Sequence, residues 1–408
     1  MSETSAPPLP TGIQLTSLDP VYREDPHSIL DRLRVEDPVH YNELMDSYFL
    51  TRYEDVFALL RDRDLSVDPR KIVSKSPITQ LRNARFEEGV EPSMLMQDAP
   101  EHDRLRNLVN KAFTPRAVDR MGPRIQQVSD ELLDAAIARG QFDVIADFSA
   151  PLPTIIIAEM LGVDPEDQAQ FKVWSDSIVQ SFNPFLDEAK KAEVQAAGKA
   201  MDDYIRAAIE VRRKDRRDDL ITGMIEAEEA GQRLNDQEIV TMVGLLLAAG
   251  NLTTTDLIGN GVYALLTNPS ELKALQDDPS LIDNAVEEML RFDPPVQQSG
   301  RHPFRDQTIA GCPMHQGQSI GVSLAAANHD PSVHPDPHRF DVRRENIEHV
   351  SFGGGRRYCL GANLARLEAK IAVGTLVARC PDIKLATDTV VHRSIPVFRG
   401  LTTLPVTV

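Results

Sequence analysis

The chain has 408 residues, of which 41% are hydrophobic and 26% are charged, which is typical of a globular protein with a large core. Its formal net charge of −18 argues against a nucleic-acid-binding protein, because such proteins carry a basic surplus. Three cysteines, a low and odd number, argue against a secreted disulfide scaffold. The first residues lack a signal-peptide pattern, and the longest apolar run, residues 242–252, is about half the roughly 20 residues of a membrane span. We therefore expect a soluble, cytoplasmic protein.

The N-terminal part of the chain predicts an arm, a helix and a hairpin. Residues 1–20 are polar and contain prolines, so we expect a flexible arm that precedes a single domain over residues 21–408. Residues 27–35 predict a short helix. Residues 39–41 and 48–51 carry aromatic and β-branched side chains on either side of polar residues, and they predict a β-hairpin.

Helical periodicity dominates the chain from Tyr53 to about Pro294. Apolar residues at three- and four-residue spacing predict helices most clearly over 118–137, 154–161 and 189–213. The basic run at 212–217 is interpreted as the solvated C-terminal end of a helix. Past Pro294, short strand-like runs alternate with Pro, Asp and Gly, at 308–309, 319–324 and 390–408. The predicted fold class is mainly α with small β-sheets.

One predicted helix is unusually long. Asn235 and Glu238 have the spacing of a capping box, and the helical pattern continues to Thr267, about 33 residues or roughly 50 Å. Its middle is apolar on nearly every face, so we expect it to run through the core. That middle nevertheless contains Gly250 and the polar residues Asn251 and 253–256. Buried polar groups need partners, and such a local exception is typical of a functional site.

A glycine-rich loop precedes another predicted helix near the C-terminus. Cys359 follows three consecutive glycines and stands just before helix-forming residues that begin at Ala362. Backbone N–H groups at a helix N-terminus, together with Arg357, favour a thiolate, which is the form of cysteine that binds metal. Two other functions fit less well. A phosphate-binding loop would end in Lys-Ser/Thr, which is absent, and a nucleophilic cysteine needs a base that the sequence does not identify.

The same loop resembles a known family signature. Residues 352–361, FGGGRRYCLG, match the haem-binding signature of the cytochrome P-450 family, Phe-Gly-x-Gly-x-(His/Arg)-x-Cys-x-Gly, at every fixed position. The resemblance implies haem b (iron protoporphyrin IX) with Cys359 as its thiolate ligand and Phe352 and Gly361 at cofactor-binding positions. It also implies the family fold, an α-rich triangular prism with a long central helix across the haem.

Other positions agree with this resemblance in chain order. His102 and Arg106 lie four residues apart on one helix face and resemble the family's His-x-x-x-Arg helix, whose side chains contact the haem propionates. Arg301, His349 and Arg357 fall at the other family positions for this role.

A second set of positions implies a structural role. Glu288 and Arg291 resemble the family's Glu-x-x-Arg helix, and Arg344 stands at the position of the arginine that joins this pair. The resemblance implies that these three side chains lock the scaffold behind the haem.

The long helix resembles the family's oxygen-binding helix with one departure. The family pattern is (Ala/Gly)-Gly-x-(Asp/Glu)-Thr, and this chain has Leu252 in place of the acid. The resemblance implies that Thr253 passes protons during oxygen activation. Two interpretations of the missing acid remain open. Asn251 or Asp256 organises a substitute water chain, which we prefer, or the enzyme leaks peroxide or uses it directly.

The resemblance also implies a substrate cavity and external electron donors. Segments that fall at substrate-facing family positions are 78–96, 174–186, 245–253, 296–298 and 395–398. Their side chains predict an apolar cavity with one polar group, formed by Leu245, Ala248, Ala249, Val296, Gln297, Ile395 and Val397. Gln298, Arg82 and Arg85 are further candidates for polar contacts with the substrate.

The predicted function is that of a haem-dependent monooxygenase. It uses O2 and a small hydrophobic substrate, and it takes electrons from a ferredoxin-type donor with its reductase because the chain has no evident flavin or nicotinamide region. Arg104, Arg106 and Arg356 are candidates for the docking surface. We expect a monomer that binds neither nucleic acid nor membrane. Alternatives are a peroxide-driven peroxygenase and a non-oxygenating haem-thiolate ligand sensor.

Overall fold

The structure is a computed structural model that describes residues 8–87, 92–183, 185–229 and 231–408. Within these ranges the chain is built mainly from α-helices, with a few short 3-10 turns and one π-helical turn between them. The α-helices are α1 (Pro20–Glu24), α2 (Pro26–Glu36), α3 (Tyr53–Arg61), α4 (Pro77–Glu87), α5 (Glu101–Asn110), α6 (Pro115–Asp119), α7 (Gly122–Ile137), α8 (Pro151–Leu161), α9 (Gln168–Val179), α10 (Glu188–Lys214), α11 (Leu220–Glu226), α12 (Asp236–Thr267), α13 (Pro269–Asp277), α14 (Ile282–Phe292), α15 (Leu324–Asn328) and α16 (Ala362–Arg379).

The strands are short and form small peripheral sheets. They are β1 (Val39–Asn42), β2 (Ser47–Leu50), β3 (Leu65–Ser66), β4 (Gln141–Asp143), β5 (Glu228–Glu229), β6 (Gln232–Arg233), β7 (Gln298–Pro303), β8 (Gln307–Ile309), β9 (Cys312–Met314), β10 (Ser319–Ser323), β11 (Lys384–Leu385) and β12 (Pro405–Thr407). The largest sheet has the order β1-β2-β10-β7-β3, in which β2 and β10 run parallel and the other neighbours antiparallel. A second sheet has the order β11-β12-β4, and β5-β6 and β8-β9 are hairpins. The predicted mainly α class with small sheets is confirmed.

Helix α12 forms the centre of the protein and begins where the sequence predicts. The side chain of Asn235 accepts a hydrogen bond from the backbone N–H of Glu238, and the carboxylate of Glu238 accepts one from the backbone N–H of Asn235, so the capping box is present. The helix packs against α8, α9, α10, α14 and α16. Among the described residues it is the one helix long and apolar enough to cross a membrane by composition. Just over half of its most apolar window is buried inside the protein, as expected of a core helix.

Some sequence predictions differ from the structure in detail. The periodic stretch at 118–137 is interrupted by Arg120 and Met121, which separate α6 from α7. The strand-like run at 390–408 forms only β12 and two isolated bridges, Val296–Phe398 and His392–Leu401. The segment pairs briefly with Val296, with itself and, through β12, with β4 and β11, so it forms no long strand.

The N-terminal arm is partly ordered, which corrects the prediction of a flexible arm over residues 1–20. Leu15 is buried, and its carbonyl accepts a hydrogen bond from Gln298 at 2.6 Å. The hydroxyl of Ser17 is buried and donates to the carbonyl of Ile395. These contacts attach the segment before α1 to the body of the domain. Residues 1–7 lie outside the described residues.

The basic run at the end of α10 is also more buried than predicted. Arg212 is buried and pairs with the buried carboxylate of Asp219 at 2.5 Å, and it also donates to the carbonyl of Gly162. The other basic side chains of this run are exposed. One member of the run therefore joins α10 to α8 and α11 instead of contacting solvent.

Candidate functional site

The loop before α16 is folded tightly around Cys359. Gly353 and Gly355 have positive φ values of 71° and 60°, which favour glycine. A Cβ on Gly355 would come within 3.1 Å of the backbone of Arg61 in α3, so the loop lies directly against that helix. The backbone N–H of Cys359 donates to the carbonyl of Phe352 at 2.9 Å, which closes the loop and fixes the cysteine just ahead of α16.

The surroundings of the Cys359 thiol shift its pKa in opposite directions. The residue is exposed, but its thiol lies among protein atoms, and this burial raises its pKa. The Gly361 backbone and the guanidinium groups of Arg106 and Arg366 act in the opposite direction without reversing the shift. The helix N-terminus thus acts in the predicted direction through the Gly361 backbone, but desolvation of the thiol outweighs it in the protein without its metal. A metal ion would resolve the conflict, since a coordinating thiol is deprotonated.

Cationic side chains converge beside the cysteine loop. Arg106 donates to the carbonyl of Tyr358 at 2.7 Å. Arg357 donates to the carbonyl of Gln97 and pairs with Asp98 at 3.2 Å. Arg301 is buried, and its hydrogen bonds go to neutral acceptors on Ser299 and Gly300.

The electrostatics of these cations favour an anionic ligand. Burial, with repulsion from Arg357, lowers the pKa of Arg301 to about 10. Burial also lowers the pKa of His102, although its neighbour Asp103 opposes this. A desolvated guanidinium next to a second one is stabilised by a carboxylate, so this group fits the propionates of a haem.

His349 is placed differently from the other predicted haem contacts. Its Nε2 lies 3.0 Å from Glu287, and its Nδ1 accepts the backbone N–H of Ser351 at 3.2 Å. Although burial opposes it, hydrogen bonds from Arg366 and His349 lower the pKa of Glu287 to about 2. Both ring nitrogens of His349 are thus engaged, and a propionate contact by this residue stays a prediction. Phe352 lies under the guanidinium of Arg366, 4.5 Å from the ring centre.

One face of α12 is open although the rest of its middle is buried. Ala249 is exposed, and Leu245 and Thr253 are partly exposed, at four-residue spacing along a single face. Ala248 and Gly250 beside them are also partly exposed. The hydroxyl of Thr253 donates to the carbonyl of Ala249 at 2.6 Å. The predicted catalytic threonine therefore lies on the accessible face, and its hydroxyl bonds to the helix.

Leu252 explains how the chain accommodates the missing acid. It is buried in a small apolar cluster with Val179 of α9 and Ile395, against which Phe398 packs. A carboxylate at this position would be buried among hydrocarbon side chains. The apolar residues around this position therefore suit a leucine better than the acid of the family pattern.

The predicted substrate-facing residues lie around this cluster. Val296 and Val397 are partly buried, and Val296 forms a bridge with Phe398. The amide of Gln297 is buried; its nitrogen donates to Pro294 at 2.6 Å, and its oxygen has no hydrogen-bond partner among the described residues. Gln298 holds the N-terminal segment instead of facing a cavity.

Two predicted segments are only partly described. Residues 88–91 and 184 lie outside the described residues, and these gaps fall within the predicted substrate-facing segments at 78–96 and 174–186. The side chains of Arg82 and Arg85 also lie outside the described part, so their predicted contacts are not tested.

Asn251 and Asp256 have direct partners other than the Thr253 hydroxyl, and the preferred substitute relay through one of them stays a prediction. The Asn251 amide accepts a hydrogen bond from Thr154 at 2.9 Å and donates to Ser175 at 3.2 Å, so it joins α12 to α8 and α9. Asp256 is fully buried and pairs with Arg393. Residues two apart on a helix point to nearly opposite faces, which explains why Asn251 faces away from Thr253.

The structure brings Glu288, Arg291 and Arg344 together. Glu288 and Arg291 are completely buried and form a bidentate pair with distances of 2.7 and 2.8 Å. Arg344 joins from the loop that follows α15, 3.1 Å from the same carboxylate. Arg291 also donates to the carbonyls of Asn328 and Pro337. The three side chains therefore fasten α14 to the loop that leads to the cysteine segment.

Sequence reasoning missed two charged groups that contact α12. Glu368 of α16 is buried and hydrogen-bonds Thr254, and burial raises its pKa to about 8. Arg393 is the partner of Asp256. The sequence did contain a signal for Glu368, because it is the one acid on a helix face that otherwise carries Leu364, Ala369 and Ala372. No local signal identified Arg393, because its partner is 137 positions earlier in the chain.

The cysteine, the accessible face of α12 and the cationic group together fit a haem. Comparison with known proteins agrees. A family model described as cytochrome P-450 matches residues 44–393. Cytochrome P-450 107B1 of Saccharopolyspora erythraea is 40% identical over 401 residues, which cover 96% of this chain and 97% of that protein.

Two similar proteins have solved structures. The polyketide biosynthesis cytochrome P-450 PksS of Bacillus subtilis is 36% identical over 94% of this chain and 96% of its own. Its structure has a TM-score of 0.87 and covers 96% of this chain and 98% of that one. The P-450 BioI, in complex with an acyl carrier protein ligated to hexadec-9Z-enoic acid, has a TM-score of 0.87 and 34% identity, and covers 96% of this chain and all of that one.

The family model and these relatives extend over nearly the whole chain, so the fold and the cofactor class follow from membership: family proteins bind iron protoporphyrin IX through a cysteine thiolate. The chain therefore belongs to the cytochrome P-450 family and is a haem-thiolate monooxygenase of the bacterial type.

Proposed function

We propose that this enzyme inserts one oxygen atom from O2 into a small hydrophobic organic molecule, with electrons from external redox proteins. The observation that carries this proposal is the accessible face of α12, where Leu245, Ala249 and Thr253 line one side of an otherwise buried helix. When bound, the haem supplies the oxygen activation and the oxidation of the substrate, and the protein supplies orientation and protons.

Cys359 is the proposed iron ligand, and Arg106, Arg301, Arg357 and His102 are the proposed propionate contacts. The tight loop between Phe352 and α16 holds the thiol in one place. Arg301 gains most from a carboxylate, because it is buried next to a second cation. These residues thus fix the position of the cofactor through its iron on one side and its acidic edge on the other.

The substrate is proposed to be mainly apolar. Val179, Leu252, Ile395 and Phe398 present hydrocarbon near the accessible face of α12. Gln297 offers a buried amide oxygen that has no partner among the described residues, and this oxygen can accept a hydrogen bond from a substrate hydroxyl. Terpenoids, aromatics and fatty acyl chains all fit this description.

Proton supply is proposed to use Glu368 in place of the missing acid. Its pKa of about 8 keeps much of it protonated at neutral pH, and it hydrogen-bonds Thr254, the residue after Thr253. The other candidates have different direct contacts: Leu252 packs in the apolar cluster, Asn251 hydrogen-bonds Thr154, and Asp256 pairs with Arg393. A Glu368→Gln variant should lose coupling, measured as product formed per NADPH consumed. The control Asp203→Asn, at an exposed position, should leave coupling unchanged.

The electron donor is proposed to be a ferredoxin with its reductase, acting on a monomeric enzyme in the cytoplasm. Arg104 is the weaker candidate for the predicted docking surface, because it is largely buried and paired with Glu101 and Glu238. Arg356 pairs with Asp103 at 3.2 Å but is exposed, and it is therefore the better candidate. An Arg356→Glu variant should slow ferredoxin-dependent reduction and leave reduction by dithionite unchanged.

The first experiment is a carbon monoxide difference spectrum of the dithionite-reduced protein, for wild type and Cys359→His. Wild type should give the red-shifted Soret band of a thiolate-ligated haem, and the variant should lose it. Haem-supplemented wild type without this band would contradict Cys359 as a working ligand. Cys380→Ser is the matched control, because Cys380 is buried at the end of α16 and the band should persist.

A second measurement separates the alternatives. Ligands identified by a spin-state shift are supplied with a surrogate ferredoxin, its reductase and NADPH. A monooxygenase consumes NADPH and O2 in a substrate-dependent way and forms product. Turnover with hydrogen peroxide alone indicates a peroxygenase, and binding without turnover under both conditions indicates a ligand sensor.

A further inference from the structure

Three histidines from separate parts of the chain meet on the side of the protein where α2 packs against α15. His27 lies in α2, His329 directly follows α15, and His338 lies in the loop that follows. One nitrogen of each ring lies within 4.8 Å of one nitrogen of both other rings. We propose that these three side chains bind one divalent transition-metal ion of the zinc class, a site separate from the haem and independent of the proposed function.

The hydrogen bonds of two of the rings fix which nitrogen is free. His329 Nε2 lies 2.7 Å from the carbonyl of Phe292, which only accepts, so this nitrogen carries the hydrogen and Nδ1 has the lone pair. His338 Nε2 lies 2.6 Å from the carboxylate of Asp31, which leaves the lone pair of the neutral ring on Nδ1 as well. The two Nδ1 atoms are 3.3 Å apart. Two lone pairs at this distance need a cation between them, either a proton or a metal ion.

The distance fits a metal ion. Zinc binds histidine nitrogen at about 2.0–2.1 Å, and tetrahedral geometry then separates two ligating nitrogens by about 3.3–3.4 Å. The outer contacts fit too. Metal-ligating histidines usually donate their other N–H to a carbonyl or a carboxylate, which are the contacts that His329 and His338 make. Imidazole ligands select zinc, copper or nickel over calcium or magnesium.

His27 offers the third nitrogen. Its ring stacks on His329 with centroids 3.8 Å apart, and its Nδ1 is buried without a hydrogen-bond partner in the part of the chain that the structure describes. Burial, with Arg399 adding to it, lowers the pKa of His27 to about 3. Burial likewise lowers the pKa of His329 well below its usual value. The buried, unpartnered Nδ1 of His27 is thus available as the third ligand, and the His27 ring turns out of the stack when the ion binds.

The charges around the three histidines and the exposure of the site to solvent are compatible with a bound divalent cation. The guanidinium groups of Arg34, Arg291 and Arg399 lie nearby, and each is paired with a carboxylate, on Asp31, Glu288 and Asp293 respectively. His338 is half exposed, so an ion can enter from solvent and water can fill the fourth position. The ion would tie α2 to the C-terminal end of α14 through the carbonyl of Phe292, close to the buried Glu288–Arg291 pair.

The test uses the full-length, haem-saturated protein without a purification tag, dialysed against EDTA and then supplied with ZnCl2. Bound zinc is measured by equilibrium dialysis with elemental analysis, and affinity by calorimetry. The variants are His338→Gln, at a half-exposed position, and His27→Phe, which keeps a ring stacked on His329. His315→Gln is the matched control, because His315 is an exposed histidine paired with a single aspartate.

Wild type and the control should bind one equivalent of zinc, and both site variants should bind it at least tenfold more weakly. Zinc should raise the melting temperature of wild type and not of the variants, since a ligand that binds only the folded state stabilises it. Zinc K-edge spectra of the wild-type complex should contain imidazole nitrogen and no sulfur. Absence of a bound equivalent, equal affinity in either folded variant, or a sulfur ligand would overturn the proposal; the first result would leave a shared proton between His329 and His338.

Discussion

The amide oxygen of Asn251 in α12 accepts a hydrogen bond from the hydroxyl of Thr154 in α8 at 2.9 Å. This contact turns the amide away from Thr253 and toward the packing of α8 and α9. The polar residues in the middle of α12 therefore divide between two faces of the helix with different roles. One face with Thr253 is accessible for chemistry, and the other is used to hold neighbouring helices together.

Replacing Asn251 should affect stability more than catalysis. Asn251→Ala removes the partner of the buried Ser175 hydroxyl, whereas the Thr154 hydroxyl keeps the carbonyl of Ala150 as an acceptor. The expected cost is about 1–3 kcal/mol in the free energy of unfolding, which chemical denaturation measures. Product formed per NADPH should stay at the wild-type ratio. Thr154→Val is the matched control from the other side of the contact. A loss of coupling in Asn251→Ala alone would restore the relay role that the sequence indicated.

The Glu288–Arg291–Arg344 group should be necessary for folding. Glu288→Gln leaves two guanidinium groups without their shared carboxylate, one of them fully buried, which should destabilise the protein by about 3–5 kcal/mol. Thermal unfolding measures the effect, together with the fraction of protein that retains haem. Asp283→Asn in the same helix breaks an exposed ion pair with Lys370 and should cost less than about 1 kcal/mol. Similar losses in both variants would contradict a special role for the buried group.

Glu368 should make stability depend on pH. Its pKa is about 8 in the folded protein, whereas the ordinary pKa of a glutamate is 4.5, so the folded chain keeps a proton that the unfolded chain releases between these values. Its contribution to stability is therefore present below about pH 4.5 and is lost as pH rises through 8. The glutamine in Glu368→Gln cannot ionise. As pH rises from about 5 to about 9, the free energy of unfolding of this variant should therefore increase relative to that of wild type by on the order of 2–4 kcal/mol.

Unfolding of both proteins across that pH range tests this prediction. Glu188→Gln, at a nearly fully exposed position, is the control and should follow wild type at every pH. A difference between Glu368→Gln and wild type that does not change with pH would mean that Glu368 is ionised in the folded protein throughout.

Arg301 should control haem retention. Arg301→Gln removes a buried cation beside Arg357, so the apoprotein should be as stable as wild type or more stable, while haem transfer to excess apomyoglobin should be at least tenfold faster. Arg305→Gln is the control, because Arg305 is exposed and pairs with Asp64. Equal transfer rates in all three proteins would exclude Arg301 as a propionate contact.

Features that depend on short stretches of sequence could be predicted in advance. The capping box at Asn235 and Glu238 marks the start of α12, because a cap depends only on residues three apart. The glycines before Cys359 and the helix formers after it define the ligand loop. Glu288 and Arg291, one turn apart, are bound to share a helix face.

Contacts between distant segments were decided only by the tertiary structure. Asp256 and Arg393, Glu368 and Thr254, and the histidines at 27, 329 and 338 each meet because helices far apart in sequence pack side by side. The pKa of Glu368 likewise depends on burial that no local pattern contains. The sequence by itself determined the family, the cofactor class and the central helix. Packing decided which polar side chains of that helix remain available for chemistry, because a buried polar group binds whichever partner the fold places beside it.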